Sequence, residues 1–161
     1  MRGFVSYSHE DRAVCDALRR PLAALCRVFE IEDFWFDAST TTGRCFRSGY
    51  AEAINKSSIH VLLLSASYLW STEIMTGELP LINEKQRRDR DLLLPLVIDH
   101  CLWESVVGSV LASPRDRNLA LKPLCDWRTL RAGINAAARE FANAIQAHFG
   151  REPTQLFEWN A

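Results

Sequence analysis

The stretch from Gly3 to Asp11, Gly-Phe-Val-Ser-Tyr-Ser-His-Glu-Asp, constrains this chain more than any other. Its apolar run is too short to alternate, so it predicts a strand buried on both faces. The chemistry then turns abruptly small, polar and acidic. Ser8, His9, Glu10 and Asp11 supply capping side chains and first-turn acids for a helix starting near residue 11. A buried strand running into a capped helix is the first half of a βα unit. In an open parallel sheet the C-terminal end of such a strand opens onto the ligand crevice, and here Tyr7 and Ser8 stand at that end.

The pattern then repeats. Val14, Ala17, Leu18, Leu22, Leu25 and Val28 recur at helical spacing, predicting a helix to about residue 29 with a kink or break at Pro21. Phe34 to Asp37 reads as a short aromatic strand, followed by a polar loop to Gly43 and a helix from Phe46 to Asn55. Ile59 to Ser65 is the least ambiguous strand, continuously apolar apart from His60 near its start. Between Ser65 and about Arg87 the chain reads as loop and helix, broken or begun near residue 78 by Pro80. The charge run Gln86 to Asp91 predicts a solvated turn. Leu92 to Asp99 reads as a fourth strand, Leu102 to Leu111 as a short helix and Asn118 to Leu124 as a weaker fifth strand. An alanine-rich amphipathic helix from Leu130 to Phe149 closes the domain, with Gly150 at its C-cap.

Strands alternating with helices predict an α/β fold: a single flavodoxin-like, doubly wound, five-stranded parallel sheet of order 2-1-3-4-5 with helices on both faces. The length suits one domain over residues 1–150, with 151–161 a tail or linker. With 48% hydrophobic residues and a net charge of −1 the chain is globular, and the charge argues against a general nucleic-acid binder. No apolar run approaches a membrane span, and no secretion leader is visible. The five cysteines include no CxxC pair, and the four histidines do not cluster with them in sequence. No metal site is therefore expected, and reduced, mostly buried thiols in a cytoplasmic protein are.

Function must come from the strand ends. A phosphoryl-receiver site needs an aspartate ending strand three, where this chain has Ser65. A dinucleotide fold needs a glycine-rich turn after strand one, where it has Ser6-Tyr7-Ser8. The ordered set Phe4–Asp11, Trp35-Phe36-Asp37, Gly43, Phe46, Ala53-Ile54, Ile59–Ser65, Tyr68-Leu69, Glu78-Leu79, Leu94–Ile98 and Trp127 instead resembles Toll/interleukin-1 receptor (TIR) domains, particularly bacterial ones. The resemblance covers about residues 3 to 149.

That resemblance implies one of two functions. Enzymatic members cleave NAD+ between nicotinamide and ribose, and their essential glutamate matches Glu78. Such an enzyme takes NAD+ as substrate, needs no separate cofactor, and in bacteria would act as a defence effector activated by self-assembly. Other members are non-catalytic modules that recruit further TIR domains. The resemblance also places Tyr7, Ser8 and Asp37 at the nucleotide crevice, and Gly43 and Phe46 in a loop that gates it and meets neighbouring domains. Many enzymatic members carry a tryptophan one helical turn before the glutamate. That position here is Ile74, with Trp70 upstream as the available substitute.

Overall fold

The computed structural model describes residues 1–36 and 46–151, the side chains of residues 46–48 aside. Within them the architecture is α/β. β1 (Gly3–Ser6), β2 (Phe34–Phe36), β3 (Ile59–Leu64) and β4 (Leu92–Val97) form a parallel sheet of order β2-β1-β3-β4. Gly3 pairs with both Phe34 and Ile59, and Leu64 with Val97. Every residue of β1 and β3 is buried, as unbroken apolar runs require of central strands. Gly3 is obligatory at this crossing, since a Cβ there would stand 2.2 Å from the Phe34 ring.

Helices close both faces. α1 (Arg12–Phe29) and α6 (Leu130–Phe149) pack Leu18, Leu22, Ile134, Phe141 and Ile145 against Val5, Val61 and Leu63 on one side. α2 (Phe46–Lys56), α3 (Ala66–Trp70) and α4 (Leu79–Asp89) cover the other, where Tyr50, Ile54, Tyr68 and Ile82 meet Phe4, Leu62 and Leu64. Full burial of each such side chain is worth about 1.5–3 kcal/mol, so the two clusters dominate the fold. α6 starts on a Thr129 cap and ends, as its sequence predicts, at Gly150 in the left-handed region. α1 runs through Pro21 without a break.

Three expectations need correction. First, Asn118 to Leu124 forms no strand. On the side of β4 away from β3 only Ser113 pairs among the described residues, bonded to Pro95 and Val97, while Arg115 and Leu121 make an isolated antiparallel bridge. Asp116 is the reason: its Oδ1 accepts from the Asn118 and Ala120 amides, folding residues 116–120 back on themselves with Leu119 at positive φ. Pro114 and Pro123 flank this turn and lack ladder donors.

Second, the charge run is not simply solvated. α4 continues to Asp89 and only Arg90 turns, at positive φ. Asp91 is buried, its Oδ2 held by His60 Nε2 at 2.8 Å and Lys85 Nζ at 2.7 Å, and Lys85 also donates to the Ser57 carbonyl. Buried charges need such pairing. Burial pushes the His60 imidazole below its ordinary value, against the raising effect of Asp91. Third, of the four described cysteines, all free thiols, only Cys15 is buried.

A short helix, α5 (Glu104–Val107), follows β4. No described helix is long and apolar enough to cross a membrane.

Candidate active site

The C-terminal ends of β1 and β3 open onto a depression of about 530 Å³, within the size range of small-molecule sites. Its walls come from three short segments. Tyr7 to Glu10 follow β1, Ala66, Ser67 and Trp70 belong to α3, and Ser71, Glu73, Ile74 and Glu78 lead into α4. Hydrogen bonds join the first two walls: Ser65, the N-cap of α3, donates to Asp11, and Ser67 donates to Glu10 at 2.7 Å. Burial, with Asp99 and Glu10 nearby, raises the Asp11 carboxyl above its ordinary value despite the Ser65 bond.

Glu78 sits at the floor, 6% exposed. Its approach is irregular: Ile74 to Glu78 form a single π turn, closed by the Leu79 amide on the Ile74 carbonyl. Such turns are rare and concentrate at functional sites. Glu78 is thereby delivered against the end of β1. The Ser6 hydroxyl donates to Glu78 Oε2 at 2.7 Å, and Ser6 Oγ lies 3.0 Å from the Tyr68 hydroxyl. Ser6 has one hydrogen. With that hydrogen on the carboxylate, Tyr68 must be the donor to Ser6, so the chain of hydroxyls points toward Glu78. Tyr68 is fully buried, and burial holds its phenol well above the ordinary value with Glu78 adding to the effect.

The structure therefore brings together four of the residues singled out from sequence: Tyr7, Ser8, Trp70 and Glu78. Ser8 is buried, whereas Trp70 stands 89% exposed at the rim. Asp37 and Gly43 lie outside the described residues, as does the side chain of Phe46, which opens α2. Ile74 packs into the core, and among the described residues Tyr7, His9 and Trp70 give the pocket its aromatic rings. Ser6 and Tyr68 were not anticipated. The available signal was a serine ending a strand of otherwise apolar, both-faces-buried residues, which must find a partner.

Charge is one-sided here. Among the described residues that line the pocket, Glu10, Glu73 and Glu78 are acidic and none is lysine or arginine.

A family model for the TIR domain matches residues 4–121. The chain belongs to the TIR domain family. An uncharacterised protein of Sinorhizobium fredii, y4lF, is similar, at 29% identity over 149 residues covering 92% of this chain. The chain spans 43% of that relative's length. TIR domains share the flavodoxin-like architecture found here, generally interact with other TIR domains, and are often NAD+-cleaving enzymes.

Proposed function

We propose that this TIR domain is an NAD+ nucleosidase giving nicotinamide and ADP-ribose, or a cyclised ADP-ribose. The observation that carries the proposal is the buried Glu78 carboxylate, fixed by Ser6 at the floor of an acidic pocket with Trp70 on its rim. The bond to be broken joins ribose C1′ to the pyridinium nitrogen. Both bonding electrons go to that nitrogen, so nicotinamide leaves neutral and needs no general acid. Positive charge develops on the ribose instead. A carboxylate already oriented and largely removed from water stabilises that charge where it appears, and Glu78 is positioned to do so. Water then attacks C1′ and a proton goes to solvent; in the cyclising variant an adenine nitrogen takes the place of water. Tyr7 and Ser8 line the crevice beside the reacting ribose, and Trp70 offers a face on which a base can stack.

NAD+ and other copies of the domain are the expected partners, with activity rising on self-association in a cytoplasmic bacterial defence role. Residues 1–150 would be the catalytic unit and 151–161 a linker or tail.

The test is chromatography of NAD+ incubated with concentrated protein. Glu78→Gln keeps size and hydrogen bonding but removes the charge, and should slow nicotinamide release by about 100- to 1,000-fold with an unchanged circular dichroism spectrum. Undiminished release would remove Glu78 from the mechanism. No release by the wild type at any concentration would leave a non-catalytic TIR–TIR recruitment module.

A further inference from the structure

Beyond the pocket, the same end of the sheet carries a second group of converging side chains. After β4 the chain turns through Asp99, His100 and Cys101, and 24 residues later a short 3₁₀ turn, Leu124–Asp126, returns to the same place. The return is fixed by backbone. The Cys125 amide donates to the Ile98 carbonyl at 2.9 Å, Trp127 donates to the Leu124 carbonyl, and the Trp127 indole donates to the Lys122 carbonyl at 2.8 Å. Leu124 anchors the turn in the core. On this scaffold His100 Nε2 lies 2.9 Å from Asp126 Oδ2, and Cys125 Sγ lies 3.6 Å from Asp126 Oδ1. One ligand atom from each of His100, Cys125 and Asp126 falls within 4.8 Å of the others.

We propose that His100, Cys125 and Asp126 form a binding site for a zinc-class divalent transition metal. Zinc holds sulfur at about 2.3 Å and nitrogen or oxygen at about 2.0–2.2 Å, so ligand atoms around a tetrahedral ion stand roughly 3.3–3.7 Å apart. Asp126 Oδ1 stands 3.0 Å from His100 Nε2 and 3.6 Å from Cys125 Sγ, near that spacing, and the three ligand atoms all lie within 4.8 Å of one another. A thiolate and an imidazole select zinc, cobalt or nickel over magnesium and calcium, which prefer all-oxygen sites. All three ligands are exposed, and His100 and Asp126 border a depression of about 450 Å³. Three protein ligands and an accessible fourth position describe a site that exchanges metal and can accept water or a further ligand. The ion pair by itself gives little reason for the arrangement, because a pair this exposed contributes little to stability. The site also has a route to the nucleotide pocket. Asp99 Oδ1 accepts from the Ala66 amide at 3.0 Å, where α3 begins, and Ala66 lines the pocket.

The experiment uses the reduced, metal-free full chain and cobalt(II) chloride as the probe, followed by displacement with zinc. Expected is a thiolate-to-cobalt charge-transfer band that saturates at one equivalent and is bleached by zinc. Cys125→Ser should abolish the band, and Cys101→Ser should keep it. His100→Ala should weaken zinc binding by about tenfold or more, since losing a ligand costs at least what losing a supporting partner does. All the substituted side chains lie outside the core, and circular dichroism checks each fold. Absence of a saturable band overturns the proposal. So does a band that survives Cys125→Ser or disappears with Cys101→Ser, or zinc affinity unchanged in His100→Ala.

Discussion

The hydroxyl of Ser6 meets the carboxylate of Glu78 at 2.7 Å, joining the last residue of β1 to a side chain 72 positions later. Removing that hydroxyl takes one charge-assisted hydrogen bond from a buried carboxylate, an effect worth about 1–3 kcal/mol. Ser6→Ala should therefore lower the denaturation midpoint. It should also slow nicotinamide release by about 10- to 100-fold, equivalent to roughly 1.4–2.7 kcal/mol of barrier. Tyr68→Phe acts one bond further away and should show a smaller loss of the same kind. Kinetics on both variants check the ordering, and a larger loss for Tyr68→Phe would contradict the hydroxyl chain drawn here.

Trp70 separates binding from folding. At 89% exposure it contributes little to the core, so Trp70→Ala should move stability by less than about 0.5 kcal/mol. Stacking of a base on an aromatic is worth about 1–3 kcal/mol. The Michaelis constant for NAD+ should accordingly rise by about tenfold while the melting temperature stays put. An unchanged Michaelis constant would assign the base to another surface.

His60 makes stability depend on pH. Burial lowers its folded-state value below the ordinary 6.5, so around and below that pH the unfolded chain binds the extra proton more readily. Stability is thus fully present above about pH 6.5 and falls as pH drops toward the folded-state value. Glutamine can present an amide donor to Asp91 without titrating. Denaturation midpoints between pH 5 and 8 should slope for the wild type, and His60→Gln should flatten the part of that slope near pH 6.

Gly3 is a steric test of the sheet. Its missing Cβ is where the Phe34 ring lies, and neither β1 nor the ring can move without disturbing the pairing of β1 with β2 and β3. Gly3→Ala should destabilise by about 1–3 kcal/mol, read as a lower midpoint in urea. A midpoint within error of the wild type would show that β2 shifts freely.

Much of this was written in local sequence. β1, β3 and β4 were legible because each is an apolar run bounded by polar residues, and α6 because its period and its Gly150 terminator agree. What escaped depends on long-range contact. The residues from Asn118 to Leu124 are compatible with a strand, but the Asp116 side chain captures the amides a ladder would need. Asp91 looked like one more solvated charge until His60 and Lys85 closed on it. Ser6 and Tyr68 were invisible as site residues because their role is to hold Glu78. His100 and Cys125 are too far apart in sequence to register as a pair. The comparison of Ile74 with the usual tryptophan assumed an α-helical count back from Glu78, and the turn between them is wider than that.

The π turn has a consequence for descent. Because Leu79 bonds back to Ile74 rather than to Met75, the segment accommodates one residue beyond what a regular helix would hold. Loss of a residue such as Thr76, whose side chain reaches only the Thr72 carbonyl, would convert the turn to ordinary helix. Glu78 is registered from its C-terminal side by the buried Leu79 and Ile82, so the carboxylate would stay on Ser6 while everything before the turn rotated by about 100°. Insertions and deletions at this point can thus change how the rim of the pocket is presented without moving the Glu78 carboxylate. Relatives that count differently across this stretch can still present the same acid to the same serine.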